Sequence, residues 1–302
     1  MKAPLFTGVA TALVTPFRGS AIDYPACERL IERQLAAGVD ALVVCGTTGE
    51  SAALTDTQKL SFLAFTLRCA NGRCKVIAGA GSNDTAHACE LSRQAASIGA
   101  DGVLCVTPYY NKCTQAGLLQ HYTAIADACQ CPVIAYNVPS RTGVDLSVET
   151  CIALSAHPNI NGLKEACGDV TKAARIISAC ASDLTVWSGN DDQTLIMMAS
   201  GAKGVISVAS NVLPAQMKRL SALCLRGEFE AARTLQLELL PLMDALFCEV
   251  NPIPVKYAMK LLGLCSGELR LPLTELSESR RALLTERLGS FFPELTLQIG
   301  SP

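Results

Sequence analysis

The chain has 302 residues, 50% of them hydrophobic and 17% charged, with 25 Lys and Arg against 27 Asp and Glu. That is enough apolar chain for one large core or two modest ones. A net charge of -2 leaves no basic excess to neutralise phosphates, and aromatics at 5% leave few platforms for stacking, so no nucleic-acid partner is expected.

The amino terminus, MKAPLFTGVATALVTPF, lacks a long apolar run followed by a small-residue cleavage site. No uninterrupted apolar stretch reaches the roughly 18 residues a membrane span needs. Secretion and membrane insertion are therefore not expected. The 15 cysteines are scattered through apolar segments, as at Cys45, Cys105 and Cys167, and no Cys-x-x-Cys occurs. The nearest pairs, Cys69/Cys74 and Cys129/Cys131, do not match a zinc or redox spacing. They read as small buried hydrophobes of a reducing, cytoplasmic location.

In chain order the expected strands are GVATALV (8–14), DALVVCG (40–46), KVIAGAG (75–81), DGVLCVT (101–107), PVIAYN (132–137), NINGLKEA (159–166), LTVWSG (184–189) and KGVISVA (203–209). They are continuous apolar runs rather than alternating ones, which suits parallel strands covered by helices on their outer face. Helical spacing fills the gaps. PACERLIERQLAAG (25–38) puts Cys27, Leu30, Ile31, Gln34 and Leu35 near one face and ends at Gly38. TAHACELSRQAASIG (85–99) repeats the plan, and TKAARIISACA (171–181) is a third such segment. This arithmetic gives an α/β fold, a (β/α)8 TIM barrel over residues 1–212. After Val212 no strand-like run returns. Two helices broken near Gly227, then VKYAMKLLG and ESRRALLTERLGSFF, make residues 213–302 a C-terminal helical appendage.

Chemistry in such a barrel sits at the carboxy-terminal ends of the strands. Lys75 and Lys203 open their strands and belong to the opposite face. Lys164 closes its strand and is the only lysine at the eight strand ends, while Glu165 alternates to the other side. Lys164 is either half of an ion pair at the strand edge or an amine kept there to attack a carbonyl. Burial favours the uncharged amine that such an attack requires.

Strand two ends in GTTGES, whose hydroxyls and free backbone N–H groups suit a carboxylate or oxyanion; the other reading is an ordinary turn with Thr55 capping the next helix. The glycines of GAGSND match a phosphate loop only weakly. Strand four ends in TPYYN, where the tyrosines either pack or handle protons. Strand five ends in YNVPSRTG: Tyr136 closes it, and Arg141 either clamps a carboxylate or is a solvated loop residue. In SGND, Gly189 leaves room for something small. His87 and His121 fall on helices and His157 in a loop, so no metal set forms, and no serine has a histidine and an acid at an interpretable spacing. What remains points to Schiff-base chemistry without metal or cofactor.

GTTGES, TPYYN, YNVPSRTG, KEA, SGND and NPIPVK occur in this order along almost the whole chain. In these motifs the sequence resembles the dihydrodipicolinate synthase (4-hydroxy-tetrahydrodipicolinate synthase) family, among the pyruvate-dependent class I aldolases related to N-acetylneuraminate lyase. The resemblance implies that Lys164 forms an imine with pyruvate and that Thr48, with the backbone of Thr47, holds the pyruvate carboxylate. It implies a proton relay of Tyr136, Thr47 and Tyr110, the last from a neighbouring subunit, with Arg141 on L-aspartate-4-semialdehyde. Gly189 and Ile206 would shape the pyruvate pocket, and the usual assembly is a homotetramer of two tight dimers. Many relatives bind L-lysine at the dimer interface. Ser51, Asn83 and Tyr109 match that site, but Asp56 and Lys59 stand where histidines are usual and His87 where a glutamate is, so weak or absent inhibition is expected.

Two other readings stay open. One is a lyase for N-acetylneuraminate or a 2-keto-3-deoxy sugar acid, against which Arg141 and the paired tyrosines argue. The other is a non-catalytic ligand sensor, against which the presence of every candidate catalytic residue argues.

Overall fold

In the computed structural model, residues 2–294 are described apart from residue 181. The end of the expected appendage, 295–302, and the last residue of the 171–181 helix lie outside them.

All eight apolar runs form strands. They are β1 (Gly8–Ala12), β4 (Ala41–Val44), β5 (Lys75–Gly79), β6 (Gly102–Val106), β7 (Val133–Asn137), β8 (Ile160–Glu165), β9 (Thr185–Ser188) and β10 (Gly204–Ser207). Each pairs in parallel with its neighbours, and β1 pairs with both β10 and β4, closing the barrel. A two-stranded antiparallel hairpin, β2 (Phe17–Arg18) with β3 (Ala21–Ile22), interrupts the first βα connection.

The helices between strands are α1 (Tyr24–Ala36), α2 (Asp56–Ala70), α3 (Thr85–Ile98), α4 (Gln115–Ala128), the short α5 (Pro139–Thr142), α6 (Val148–Ser155), α7 (Val170–Cys180) and α8 (Thr194–Ala199). Their ends follow from local chemistry. Thr55 caps α2 through its side chain, which accepts from Gln58 N at 3.2 Å while Gln58 Oε1 accepts from Thr55 N at 3.2 Å. Gly99 ends α3 at φ 109°, a conformation that glycine adopts without strain. On α1 the buried face is Ala26, Cys27, Leu30, Ile31 and Gln34, close to the face read from the spacing.

After β10, α9 (Pro214–Leu225) packs on β1 and β10 and completes the outer ring of helices. Then α10 (Phe229–Ala245) packs on α8 and α9, with α11 (Ile253–Leu261) and α12 (Glu278–Gly289) behind it.

Two cores result. The larger lies between strands and helices. The smaller fills the barrel with inward side chains such as Ala10, Val43, Ile77, Leu104, Ile134, Trp187 and Ile206. Trp187 dominates its amino-terminal half, stacked on Phe6 at 4.8 Å with its indole N–H donating to Phe6 O at 3.2 Å. Gly162 makes room for it, since a Cβ there would stand 2.3 Å from the Trp187 ring. With that half plugged, polar chemistry is confined to the other end. Among the described residues no helix is long and apolar enough to cross a membrane, and all 15 cysteines are free thiols.

Candidate active site

On β8, Lys164 is in register with Tyr136 on β7 and Trp187 on β9, so it shares their inward direction. It is 5% exposed. Its Nζ lies 4.3 Å from the centroid of the Tyr136 ring. Among the described residues it has no hydrogen-bond or ion-pair partner. Glu165 faces the opposite way: its carboxylate accepts from Asn137 Nδ2 at 3.0 and 3.1 Å and from Cys167 N at 2.7 Å, with Lys172 at 3.9 Å. Burial raises the Glu165 carboxyl above the usual range, against the pull of Lys172 and these donors. The ion-pair reading of Lys164 with Glu165 is thereby removed.

Gly189 stands beside the amine. A Cβ there would lie 2.6 Å from Ala166 Cβ and 3.1 Å from Lys164 Cε, so a side chain would clash with Ala166 and crowd the lysine. Ile206 is wholly buried in the inner core, the cluster that also holds Tyr136.

A cavity of about 1000 Å³ opens above this layer. Thr47, Tyr136 and Arg141 line it, and so do Ser51, Asp56, Lys59, Asn83, His87 and Tyr109. Lys164, Thr48, Gly189 and Ile206 are not among the residues that line it. Thr55 caps the helix that follows GTTGES, as the turn reading expected, and Thr47 of that loop lines the cavity. Thr48 is buried and its hydroxyl accepts from Asn251 Nδ2 at 3.0 Å. Arg141 is exposed, as the solvated-loop reading expected, yet it lines the cavity and its Nη2 donates to Asn251 O at 3.2 Å. The loop carrying it is fixed by Thr107, whose hydroxyl donates to Thr142 Oγ1 at 3.0 Å. Tyr110 is not brought to the cavity of its own chain: it is 91% exposed, on backbone at φ 69°.

Three features escaped the reading of the sequence. Asp191, in SGND, is wholly buried near the barrel mouth, where its Oδ2 accepts from Val208 N at 2.9 Å and Ala209 N at 2.8 Å. Desolvation pushes its carboxyl up, opposed by these donors, by Ser207 and by the charge of Lys164. Glu50, in GTTGES, forms a fully buried ion pair with Lys256 of NPIPVK. Asn251, in the same motif, joins Thr48 to Arg141. The motifs containing these residues were visible in the sequence, but no single residue pattern assigns the partners. Among the described residues no three His, Cys, Asp or Glu side chains gather as a metal site would require.

The model of the dihydrodipicolinate synthetase family matches residues 5–290. The 4-hydroxy-tetrahydrodipicolinate synthase of Exiguobacterium sibiricum is 49% identical over 288 residues, covering 95% of this chain and 98% of its own. The crystal structure of dihydrodipicolinate synthase from Aquifex aeolicus superposes with a TM-score of 0.93 at 45% identity, over 95% of this chain and 98% of that one. That of the chloride-inhibited enzyme from Acinetobacter baumannii, complexed with pyruvate, gives 0.93 at 42% identity, over 94% and 98%. By motif order, barrel topology and these matches over nearly its whole length, the chain belongs to the dihydrodipicolinate synthetase family.

Proposed function

We propose that the chain condenses pyruvate with L-aspartate-4-semialdehyde, the 4-hydroxy-tetrahydrodipicolinate synthase reaction of diaminopimelate and lysine biosynthesis. The observation that carries this reading is the buried, unpartnered amine of Lys164 under the Tyr136 ring, next to a cavity that holds Arg141. The amine adds to the keto carbon of pyruvate, and loss of water gives an imine. The imine is an electron sink, so a proton leaves the pyruvate methyl and an enamine forms. The enamine carbon attacks the aldehyde carbon. The amino group of the second substrate then adds to the imine carbon, closes the ring and releases Lys164. One water is lost overall, and no step calls for a metal or organic cofactor.

The roles of the other residues follow. Thr48 and the Thr47 backbone hold the pyruvate carboxylate, and Arg141 holds that of the aldehyde. Tyr136, Thr47 and the Tyr110 of a neighbouring subunit carry protons. Gly189 and Ile206 shape the pocket around the imine. An exposed aromatic held in left-handed backbone at Tyr110 supports a shared site in a homo-oligomer, which we take to be a tetramer in the cytoplasm.

Borohydride reduction in the presence of pyruvate should add a pyruvate-derived mass at Lys164, read by peptide mass spectrometry. A label on any other peptide would sink the assignment. Lys164→Arg should lose nearly all turnover, because a guanidinium stays protonated and is no nucleophile. A coupled assay with aspartate semialdehyde or a sugar aldehyde reads the second substrate directly.

A further inference from the structure

Two of the fifteen thiols touch each other. Cys129 Sγ and Cys131 Sγ lie 3.5 Å apart. Cys129 follows the last residue of α4 in extended backbone, and Cys131 stands two residues before β7, so the pair sits at the end of the barrel opposite Lys164. The two are 5% and 8% exposed, but Gln130 between them is exposed, which puts the turn at the protein surface. One residue short of Cys-x-x-Cys, the spacing carries no redox signature; the bend of the chain is what brings the sulfurs together.

The surroundings fix the pair. Cys129 Sγ donates to Ser92 O on α3 at 3.6 Å. Asn159 Nδ2 donates to Cys129 O at 2.6 Å and to Ala126 O at 3.0 Å. With the Cys129 proton on Ser92 O, the S–H between the sulfurs is that of Cys131. This donor holds the Cys129 thiol below the usual range, against burial, while the same contact and burial push Cys131 up. In the other thirteen thiols burial leads and each is raised. Cys129 is thus the thiol best suited to react as a thiolate.

We propose that Cys129 and Cys131 form a site of oxidative modification, where a hydroperoxide converts the pair to an intrachain disulfide with Cys129 as the attacking and Cys131 as the resolving residue. The Cys129 thiolate attacks one peroxide oxygen. The O–O bond breaks, Cys129 becomes a sulfenic acid, and the leaving oxygen takes the Cys129 proton as an alcohol, or as water from hydrogen peroxide. The Cys131 sulfur then attacks that of Cys129. The S–S bond forms, the S–O bond breaks, and hydroxide leaves with the Cys131 proton as water. The thiols give up two electrons in all, and the peroxide accepts them. To reach a bond of about 2.05 Å the sulfurs close by about 1.5 Å within the one turn that carries both. In a reducing compartment such a bond is transient and returns to thiols by exchange with a small thiol.

The test treats the reduced protein with hydrogen peroxide, blocks the remaining thiols with N-ethylmaleimide in denaturant, and reads the tryptic peptide 113–141, which carries Cys113, Cys129 and Cys131. The expected product has lost two hydrogens and bears one maleimide, at Cys113; reduction before blocking gives three. It should appear before any other cysteine is consumed. A peptide that still takes three maleimides while other cysteines oxidise overturns the proposal, and so does a crosslink from either residue to another chain. In Cys131→Ser, dimedone should trap a sulfenic acid at Cys129. In Cys129→Ser, oxidation of Cys131 should be about tenfold slower than that of the wild-type pair. Equal rates overturn Cys129 as the attacking residue. The wild-type measurement decides the disulfide by itself if a serine variant does not fold.

Discussion

Asp56 is the only carboxylate among Ser51, Asp56, Lys59, Asn83, His87 and Tyr109, and it is already engaged. Lys59 Nζ lies 3.1 Å from one oxygen and His87 Nε2 2.7 Å from the other. Partial burial would raise its carboxyl, but the bonds to His87 and Lys59 outweigh that and hold it below the usual range. L-Lysine would bring two ammonium groups to a pocket with no free carboxylate among these six. Losing a charge-assisted partner costs about 1.5–3 kcal/mol. Titration of L-lysine against the coupled assay should therefore give half-inhibition above about 1 mM, near 4 kcal/mol of binding; a lower value would show that Asp56 is released to the ligand. His121 carries a different consequence. It is buried on α4, Nδ1 meets Thr85 Oγ1 at 2.9 Å, and Nε2 has no partner among the described residues. Desolvation lowers its pKa from 6.5 to about 4, with the charge of Asp84 opposing. The folded state thus binds this proton less readily than the unfolded chain. Stability should be unaffected at neutral pH, fall as pH drops below the unfolded value, and level off below the folded one. The loss between pH 7 and pH 4.5 should be about 2 kcal/mol. Urea unfolding of wild type and His121→Gln at both pH values measures it, and equal losses in the two proteins would exclude His121 as the cause.

At the scale of elements, the loop after β4 is held from far along the chain. Lys256 on α11 is wholly buried, paired with Glu50, 4.1 Å from the centroid of the Phe17 ring, and donates to Glu268 O at 2.7 Å. Burial lowers its pKa against the pull of Glu50. Glu50 sits at φ 54°, an uncommon conformation for a residue with a side chain, and its second oxygen accepts from Arg270 N at 2.9 Å. A buried pair adds little net stability, but breaking it strands a charge. Lys256→Met should cost about 3–5 kcal/mol in urea unfolding. Glu50→Gln combined with Lys256→Met should recover part of that, and a single variant within about 1 kcal/mol of wild type would show that water reaches the site. This contact also marks where sequence reading stops. All eight strands were legible because a parallel strand covered on both faces is an unbroken apolar run, and Lys164 stood out against such a run. The hairpin Phe17–Arg18 with Ala21–Ile22 was not legible, since two-residue strands carry no periodicity. Neither were the partners of Glu50 and Thr48, which lie 206 and 203 residues away, because no local pattern encodes a pairing over that distance.

For the whole molecule, the question is whether one chain contains a complete site. The cavity gathers Thr47, Tyr136 and Arg141, while Tyr110 stands outside on the surface. If it serves the neighbouring subunit, Tyr110→Phe should lower kcat without lowering thermal stability, and dissociated subunits should lose activity to a similar degree. Sedimentation velocity paired with activity over a dilution series reads both, and a fully active monomer would refute the shared site. The clasp of residues 251–270 over the barrel mouth has a further consequence, in time rather than in space. A ribosome delivers the barrel strands first and Asn251, Lys256 and Arg270 after them. A nascent chain halted after β10 would hold every strand and Lys164 itself, yet Thr48 and Arg141 would lack the asparagine that joins them and Glu50 would lack its counter-ion. The site is thus assembled only after every barrel strand has been made, and a chain halted before residue 251 would carry the reactive amine without the groups that order its surroundings.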